Sequence, residues 1–184
     1  IKKGWICDII KEVDANEFYD SRSYPFDIST HGTLLIWKEI DKLPTSEKGL
    51  EDTLKKIKIK LKNHFGLCFH RFLEDKKLKI YIDVQELNEK IHGIKDIVEP
   101  LNPFDYPVSG QEEYPKKFKA NIDGVGGLML EAHIWPANSD LKNYKLGGRT
   151  SSRQGFYFYR NDRLIQTGGW NGVVQDENEP HGSL

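Results

Sequence analysis

The segment 153–165 constrains the fold most strongly, because it combines alternating aromatic residues with a turn pair. Phe156–Tyr159 alternates phenylalanine with tyrosine, and successive side chains of a strand point to opposite faces. The phenylalanines are therefore predicted on one face and the tyrosines on the other. Asn161 and Asp162 follow, and both residue types tolerate left-handed backbone angles. The pattern predicts a β-hairpin whose return strand begins at Arg163.

A second pattern predicts the main helix of the chain. Apolar residues recur at three- and four-residue steps, at Leu50, Leu54, Ile57 and Leu61. This spacing places them on one helix face, which we expect to cover a sheet. The segment 44–46, Pro-Thr-Ser, offers an amino-terminal cap. Gly66 is predicted to end the first helical piece by adopting a left-handed conformation.

The remaining pattern predicts strands on both sides of this helix. They are expected at 5–13, 34–41 and 78–84, and as a pair at 118–122 and 128–134 around a glycine-rich turn. Residues 85–116 contain four prolines and are predicted to form neither continuous helix nor continuous strand. The order predicts the α+β class, with a mixed or antiparallel sheet and helices on one of its faces.

Composition limits the class of protein. A chain of 184 residues can bury about 70% of its unfolded surface, which is enough for one self-supporting core. No apolar run approaches the ~20 residues that a membrane span needs. The net charge of −1 does not indicate nucleic acid as a partner. Cys7 and Cys68 fit neither a disulfide framework nor a metal knuckle, which favours reduced thiols and a cytoplasmic location.

Five segments carry motifs that occur together in one known family. They are Gly-Thr-Leu-Leu-Ile-Trp at 32–37, His-Phe-Gly-Leu-Cys-Phe-His-Arg-Phe-Leu at 64–73, the strand at 78–82, Val-Glu-Pro-Leu-Asn-Pro-Phe at 98–104, and the hairpin from 155 to 165. In this order they resemble the domain that follows the ATP-binding domain in GHKL ATPases, the gyrase, chaperone, histidine-kinase and mismatch-repair relatives. MORC-like and bacterial stand-alone members are the nearest in wording.

The resemblance implies a transducer domain with the fold of ribosomal protein S-five domain 2, including a left-handed βαβ crossover. It implies that residues 1–184 are one domain of a longer protein, with an ATP-binding domain before it and a further segment after it. ATP and Mg²⁺ would bind in that adjoining domain. Within the chain, only 123–127 approximates the family's Asp-x-Gly-x-Gly loop, and Val125 replaces its first glycine. We therefore expect no cofactor site, no catalytic residue and no metal site in the chain itself.

Two groups of basic residues are candidate anion contacts. Arg149 and Arg153 lie near the aromatic hairpin and could approach the terminal phosphate of the nucleotide, because guanidinium groups bind such anions bidentately. Lys55, Lys58 and Lys62 form a basic ridge on the predicted helix that could contact DNA phosphates. For both groups the alternative interpretation is a solvated surface charge.

The sequence thus supports two functional hypotheses. The first is a transducer domain that couples ATP binding and hydrolysis in an adjoining domain to conformational change, in a protein that dimerises and acts in nucleic-acid maintenance or defence. The alternative is a stand-alone module that binds DNA or a protein. The first hypothesis requires that the apolar face of the helix and the tyrosine-rich hairpin share one core.

Overall fold

The computed structural model describes residues 42–84, 95–124, 126–136 and 153–173, together with Lys11, Val13, Asn16, Thr33, Leu35, Ile40 and Leu141. The chain divides into two compact units. One comprises Ile1–Thr53 and Asp83–Lys95, and the other comprises Leu54–Ile82 and Asp96–Leu184. The contacts that follow lie in the second unit, except for those at the start of the first helix.

The described residues contain two helices and six strands, which we number in chain order. The helices are α1 (Glu47–Cys68) and α2 (His70–Glu74), and the strands are β1 (Tyr81–Ile82), β2 (Asp96–Ile97), β3 (Lys116–Ile122), β4 (Gly126–Ala132), β5 (Tyr157–Arg160) and β6 (Arg163–Thr167). The strands form three separate two-stranded antiparallel sheets, β1 with β2, β3 with β4 and β5 with β6.

Helix α1 begins where the sequence predicts. The backbone N–H of Gly49 donates to the Ser46 hydroxyl oxygen at 3.3 Å, and the N–H of Leu50 donates to the Ser46 carbonyl at 2.9 Å. A serine hydroxyl in this position satisfies one of the amide groups that the first helical turn leaves unpaired. The predicted cap is therefore confirmed.

The predicted end of this helix is wrong. Gly66 lies inside α1, which continues to Cys68, and a left-handed backbone angle first occurs at Lys76, after α2. A Cβ atom on Gly66 would come within 2.6 Å of the Glu99 carbonyl oxygen. The N–H of Leu101 also donates to the Gly66 carbonyl at 2.9 Å. Glycine is required here because another stretch of backbone lies directly against the helix.

The apolar stripe of α1 is less covered than predicted. Leu50 and Leu54 are half-buried, whereas Ile57 and Leu61 are 38% and 37% exposed. The fully buried residues of the helix lie instead in its last turn, at Gly66–Cys68. Periodicity identified a helix correctly but did not identify which part of it enters the core.

The hairpin of β5 and β6, called the tyrosine hairpin from here on, has the predicted turn. Its aromatic side chains also alternate between the two faces as predicted. Asn161 and Asp162 both have left-handed angles, with φ of 48° and 60°, as a two-residue hairpin turn requires. Phe156 and Phe158 are exposed on one face with their rings 5.9 Å apart. The tyrosines of the segment 157–159 pack against the core from the other face. Pairing shifts between Phe158 and Tyr159 and skips Ile165, which marks a β-bulge.

The second predicted hairpin is also confirmed, with three of its four boundaries displaced by two residues. Strands β3 and β4 pair from Lys116 opposite Ala132 to Ile122 opposite Gly126, where 118–122 and 128–134 were expected. The predicted strand 78–84 is much shorter, since β1 comprises only Tyr81–Ile82. The N–H groups of Lys77 and Leu78 both donate to the Phe72 carbonyl, at 3.0 and 3.2 Å. These two residues therefore close the last turn after α2, and their N–H groups are not available to a strand.

These elements establish the α+β class. The strands predicted at 5–13 and 34–41 lie largely outside the described residues, as does the crossover that they would form with α1. Among the residues whose structure is described, no helix has both the length and the apolar character needed to cross a membrane.

Candidate functional site

The end of α1, the 98–104 segment and the tyrosine hairpin meet in one hydrophobic core. Leu67, Leu101 and Leu164 are its buried members, at 7%, 7% and 1% exposure. Tyr157 and Tyr159 pack against them. Burial of each of the three leucines is worth about 1.5–3 kcal/mol. The helix therefore shares a core with the hairpin through Leu67 in its last turn, whereas the predicted apolar stripe does not belong to this core.

A buried polar contact joins α2 to the hairpin within this core. His70 is 1% exposed, and its Nε2 lies 3.1 Å from the Tyr159 hydroxyl oxygen. Burial raises the pKa of Tyr159 to about 12, although the Arg71 guanidinium opposes that rise. Burial, followed by the positive charge of Arg71, lowers the pKa of His70 to about 4. The pair is therefore a neutral imidazole and a neutral phenol at physiological pH.

Arg71 holds the same hairpin from the outside. Its guanidinium lies over the Tyr159 ring, 3.9 Å from the centroid, and its Nη1 donates to Asp162 Oδ1 at 3.0 Å. The ion pair is exposed on both sides, so its contribution to stability is small. Its effect is geometric, because one side chain fixes both the tyrosine ring and the turn of the hairpin relative to α2.

The low pKa of His70 makes stability depend on pH. The unfolded chain takes up a proton on this histidine as pH falls below about 6.5, whereas the folded chain resists protonation until about pH 4. We expect the stabilisation to be complete above pH 6.5, to decrease as the pH falls from 6.5 to 4, and to be fully lost below pH 4. The loss attributable to His70 should be on the order of 2–3 kcal/mol. Urea unfolding at several pH values between 4 and 7 measures it.

The variant His70→Gln isolates this contribution, because glutamine can still hydrogen-bond to Tyr159 but does not titrate. Its free energy of unfolding should decrease less steeply with falling pH than that of the wild type. Parallel pH profiles for the two proteins would show that protonation of His70 is not resisted by the fold.

An aromatic cluster joins the 98–104 segment to Tyr157 of the hairpin. The Phe104 ring lies 5.0 Å from Tyr157 in a T-shaped arrangement and 4.2 Å from the His133 ring. The Trp135 ring is 5.9 Å from Tyr157, again edge-on. The Tyr157 hydroxyl donates to the Arg153 carbonyl at 2.8 Å. Each tyrosine of the hairpin therefore has its own hydrogen bond and its own packing partners.

Three of the motifs separated in the sequence thus form one assembly. The stretch 64–73 supplies Leu67, His70 and Arg71, and the segments 98–104 and 155–165 supply their partners. Comparison of the chain with protein-family models, curated proteins and solved structures finds no match. The geometry of the assembly is therefore the principal support for any functional proposal.

A hydrogen-bonded chain of three ionisable residues lies beside the aromatic cluster. The Tyr106 hydroxyl is 2.7 Å from His133 Nδ1, and His133 Nε2 is 3.4 Å from Glu131 Oε2. Burial lowers the pKa of His133, against the opposing influence of Glu131. Sequence spacing could not have paired Tyr106 with His133, because 27 positions separate them. The only local signal is the shared parity of Glu131 and His133 along the β4 direction.

The structure places the predicted contact residues differently. Arg153 is half-buried at the entry to the hairpin, and Arg149 lies outside the described residues. Lys58 and Lys62 both pair with Asp96, at 2.9 and 3.5 Å. The ridge of Lys55, Lys58 and Lys62 is thus partly engaged with a carboxylate of β2, and DNA binding through it stays a prediction.

Proposed function

We propose that this chain is the transducer-type domain of a GHKL ATPase, with the ribosomal protein S-five-like fold and its left-handed crossover. In this proposal the adjoining domain of the same polypeptide binds ATP and Mg²⁺, and the intact protein dimerises in the cytoplasm. The observation that carries the proposal is the joint formed by Leu67, His70, Arg71, Tyr159 and Leu164. Two segments that carry the resemblance supply all of its residues.

The physical task of such a domain is to move as one body when the nucleotide changes. A buried core, a buried His70–Tyr159 contact and the Arg71 clamp all oppose relative motion of α2 and the hairpin. Conformational coupling also needs a contact that exists in only one nucleotide state, since equal affinity for two states shifts nothing. Arg149 and Arg153 are our candidates for a phosphate contact of this kind.

The test uses the polypeptide that contains this chain together with its natural flanking sequence. We expect it to hydrolyse ATP. Hydrogen exchange should differ between a non-hydrolysable ATP analogue and ADP at the entry to the hairpin around Arg153. The amides of 64–73 and 157–167 should keep a common level of protection in both states, because they belong to one core.

Arg153→Gln should reduce turnover by about tenfold or more, since removing a charged contact to a phosphate typically costs more than 1.4 kcal/mol. Its melting temperature should fall by no more than a few degrees, because the Tyr157 hydroxyl donates to the backbone carbonyl of Arg153, which the substitution keeps. Lys79→Gln is the control, because Lys79 is exposed on the chain leading into β1. Absence of ATP hydrolysis, or identical exchange in both nucleotide states, would contradict the proposed function.

A further inference from the structure

A surface cavity of about 570 Å³ lies between the end of α1 and the turn of the tyrosine hairpin. Its volume falls within the range of ligand pockets, roughly 300–1,000 Å³. The lining residues that bear on its chemistry are Phe69, Phe72, Arg160, Arg163, Leu164 and Ile165. All of its lining residues belong to the second compact unit, and Leu164, a buried member of the core described above, is one of them.

The cavity is apolar at its base and open at its rim. Leu164 and Cys68 are buried at 1% and 8% exposure, and the rings of Phe69 and Phe72 meet edge-on, with centroids 6.4 Å apart. At the rim, Ile165 is 62% exposed. A ligand can therefore place an apolar group against the phenylalanines while the rest of it remains in solvent.

The rim carries two positive charges that face each other across the hairpin. Arg160 and Arg163 are direct partners in the β5–β6 register, and like charges directly opposite one another destabilise a strand pair. Arg163 lies over the Phe69 ring, 5.3 Å from the centroid. Within the described ranges, neither arginine forms an ion pair, and the cavity lining contains no acidic residue. Nearby Arg71, by contrast, is paired with Asp162.

We infer that this cavity binds an acidic peptide segment of a partner protein. A glutamate or aspartate carboxylate of the peptide lies between Arg160 and Arg163, and an adjacent aliphatic side chain packs on Phe69 and Phe72. Guanidinium groups suit this role because their planar donors match a carboxylate. The inference does not depend on an ATP-binding domain.

The geometry favours a peptide over a nucleic-acid base. Stacking of a base needs an open ring face, but the Arg163 guanidinium already lies over one face of Phe69. An aliphatic side chain has no such requirement. The open rim also allows an extended chain to pass through without burying its ends.

The test is a fluorescence anisotropy titration of the chain with a labelled hexapeptide of alternating glutamate and leucine. Saturable binding is expected, and a peptide of alternating glutamine and leucine should bind at least about tenfold more weakly. The double variant R160Q/R163Q should lose affinity for the acidic peptide by a similar factor or more. It should melt no lower than the wild type by more than a few degrees, because it removes a like-charge pair.

The matched control is K79Q/K119Q, which removes the same amount of charge. Lys79 lies two residues before β1, Lys119 lies in β3, and both are exposed. It should bind the acidic peptide as the wild type does. Equal binding of the glutamine peptide, unchanged affinity of R160Q/R163Q, or an equal loss in K79Q/K119Q would overturn the inference. Preferential binding of a short oligothymidylate that displaces the peptide would overturn it as well and would assign the cavity to single-stranded nucleic acid.

Discussion

Replacing Leu164 with alanine is expected to lower the free energy of unfolding by about 3–4 kcal/mol, within the range measured for buried leucines. Leu164 is 1% exposed and lies at the centre of the core formed with Leu67 and Leu101. The substitution removes apolar burial and leaves a cavity that the two tyrosines of the hairpin cannot fill without breaking their hydrogen bonds. Urea unfolding followed by tryptophan fluorescence measures the change.

The adjacent residue provides a matched control. Ile165 has a side chain of the same size, but it is 62% exposed and is skipped by the strand register. Ile165→Ala should therefore cost less than about 1 kcal/mol. Similar losses for the two variants would mean that the hairpin does not pack on the core through Leu164.

Gly155→Ala is expected to destabilise the protein by about 3 kcal/mol or more, for two separate reasons. The residue has φ of 111°, which L side chains rarely adopt. A Cβ atom there would also overlap the carbonyl group of Gly169. That contact belongs to the backbone link in which Phe156 N–H donates to Gly169 at 2.8 Å and Gly169 N–H donates to Gln154 at 2.7 Å. Denaturant unfolding measures the loss.

Gly172→Ala separates the two causes. Gly172 also has a positive φ, of 76°, but a Cβ atom there would meet nothing within 4 Å. Only backbone strain of about 1 kcal/mol is expected from this variant. If Gly172→Ala were as damaging as Gly155→Ala, the close approach of the Gly169 backbone would not be the dominant cause.

Local chemistry made part of this fold predictable. The turn at Asn161 and Asp162 follows from residue types that accept left-handed angles, and alternation placed the phenylalanines and tyrosines of 156–159 on their correct faces. Ser46 was recognisable as a cap from its residue type, because serine hydroxyls accept hydrogen bonds from amides of the first helical turn. In each case the deciding interaction joins residues only a few positions apart.

Features set by distant contacts were not predictable in this way. The sequence predicts that Gly66 ends the helix. Only the position of the Glu99 carbonyl shows that glycine is needed there because another stretch of backbone packs against the helix. The cavity beside Arg160 and Arg163 was likewise missed, because the sequence does not place Phe69 and Phe72 against the hairpin turn. The outer strands at 5–13 and 34–41, and the family resemblance itself, stay predictions.

The bond from the Leu101 amide to the Gly66 carbonyl has a consequence for how the molecule opens. Carbonyl groups in the last turn of a helix have no partner within the helix, and here one of them is satisfied by a residue 35 positions later. Fraying of that turn must therefore break its bond to the 98–104 segment. Movement of that segment away from the helix must in the same way leave the Gly66 carbonyl without this partner. The two regions should open as one cooperative unit, which links motion at the helix terminus to the aromatic cluster around Phe104.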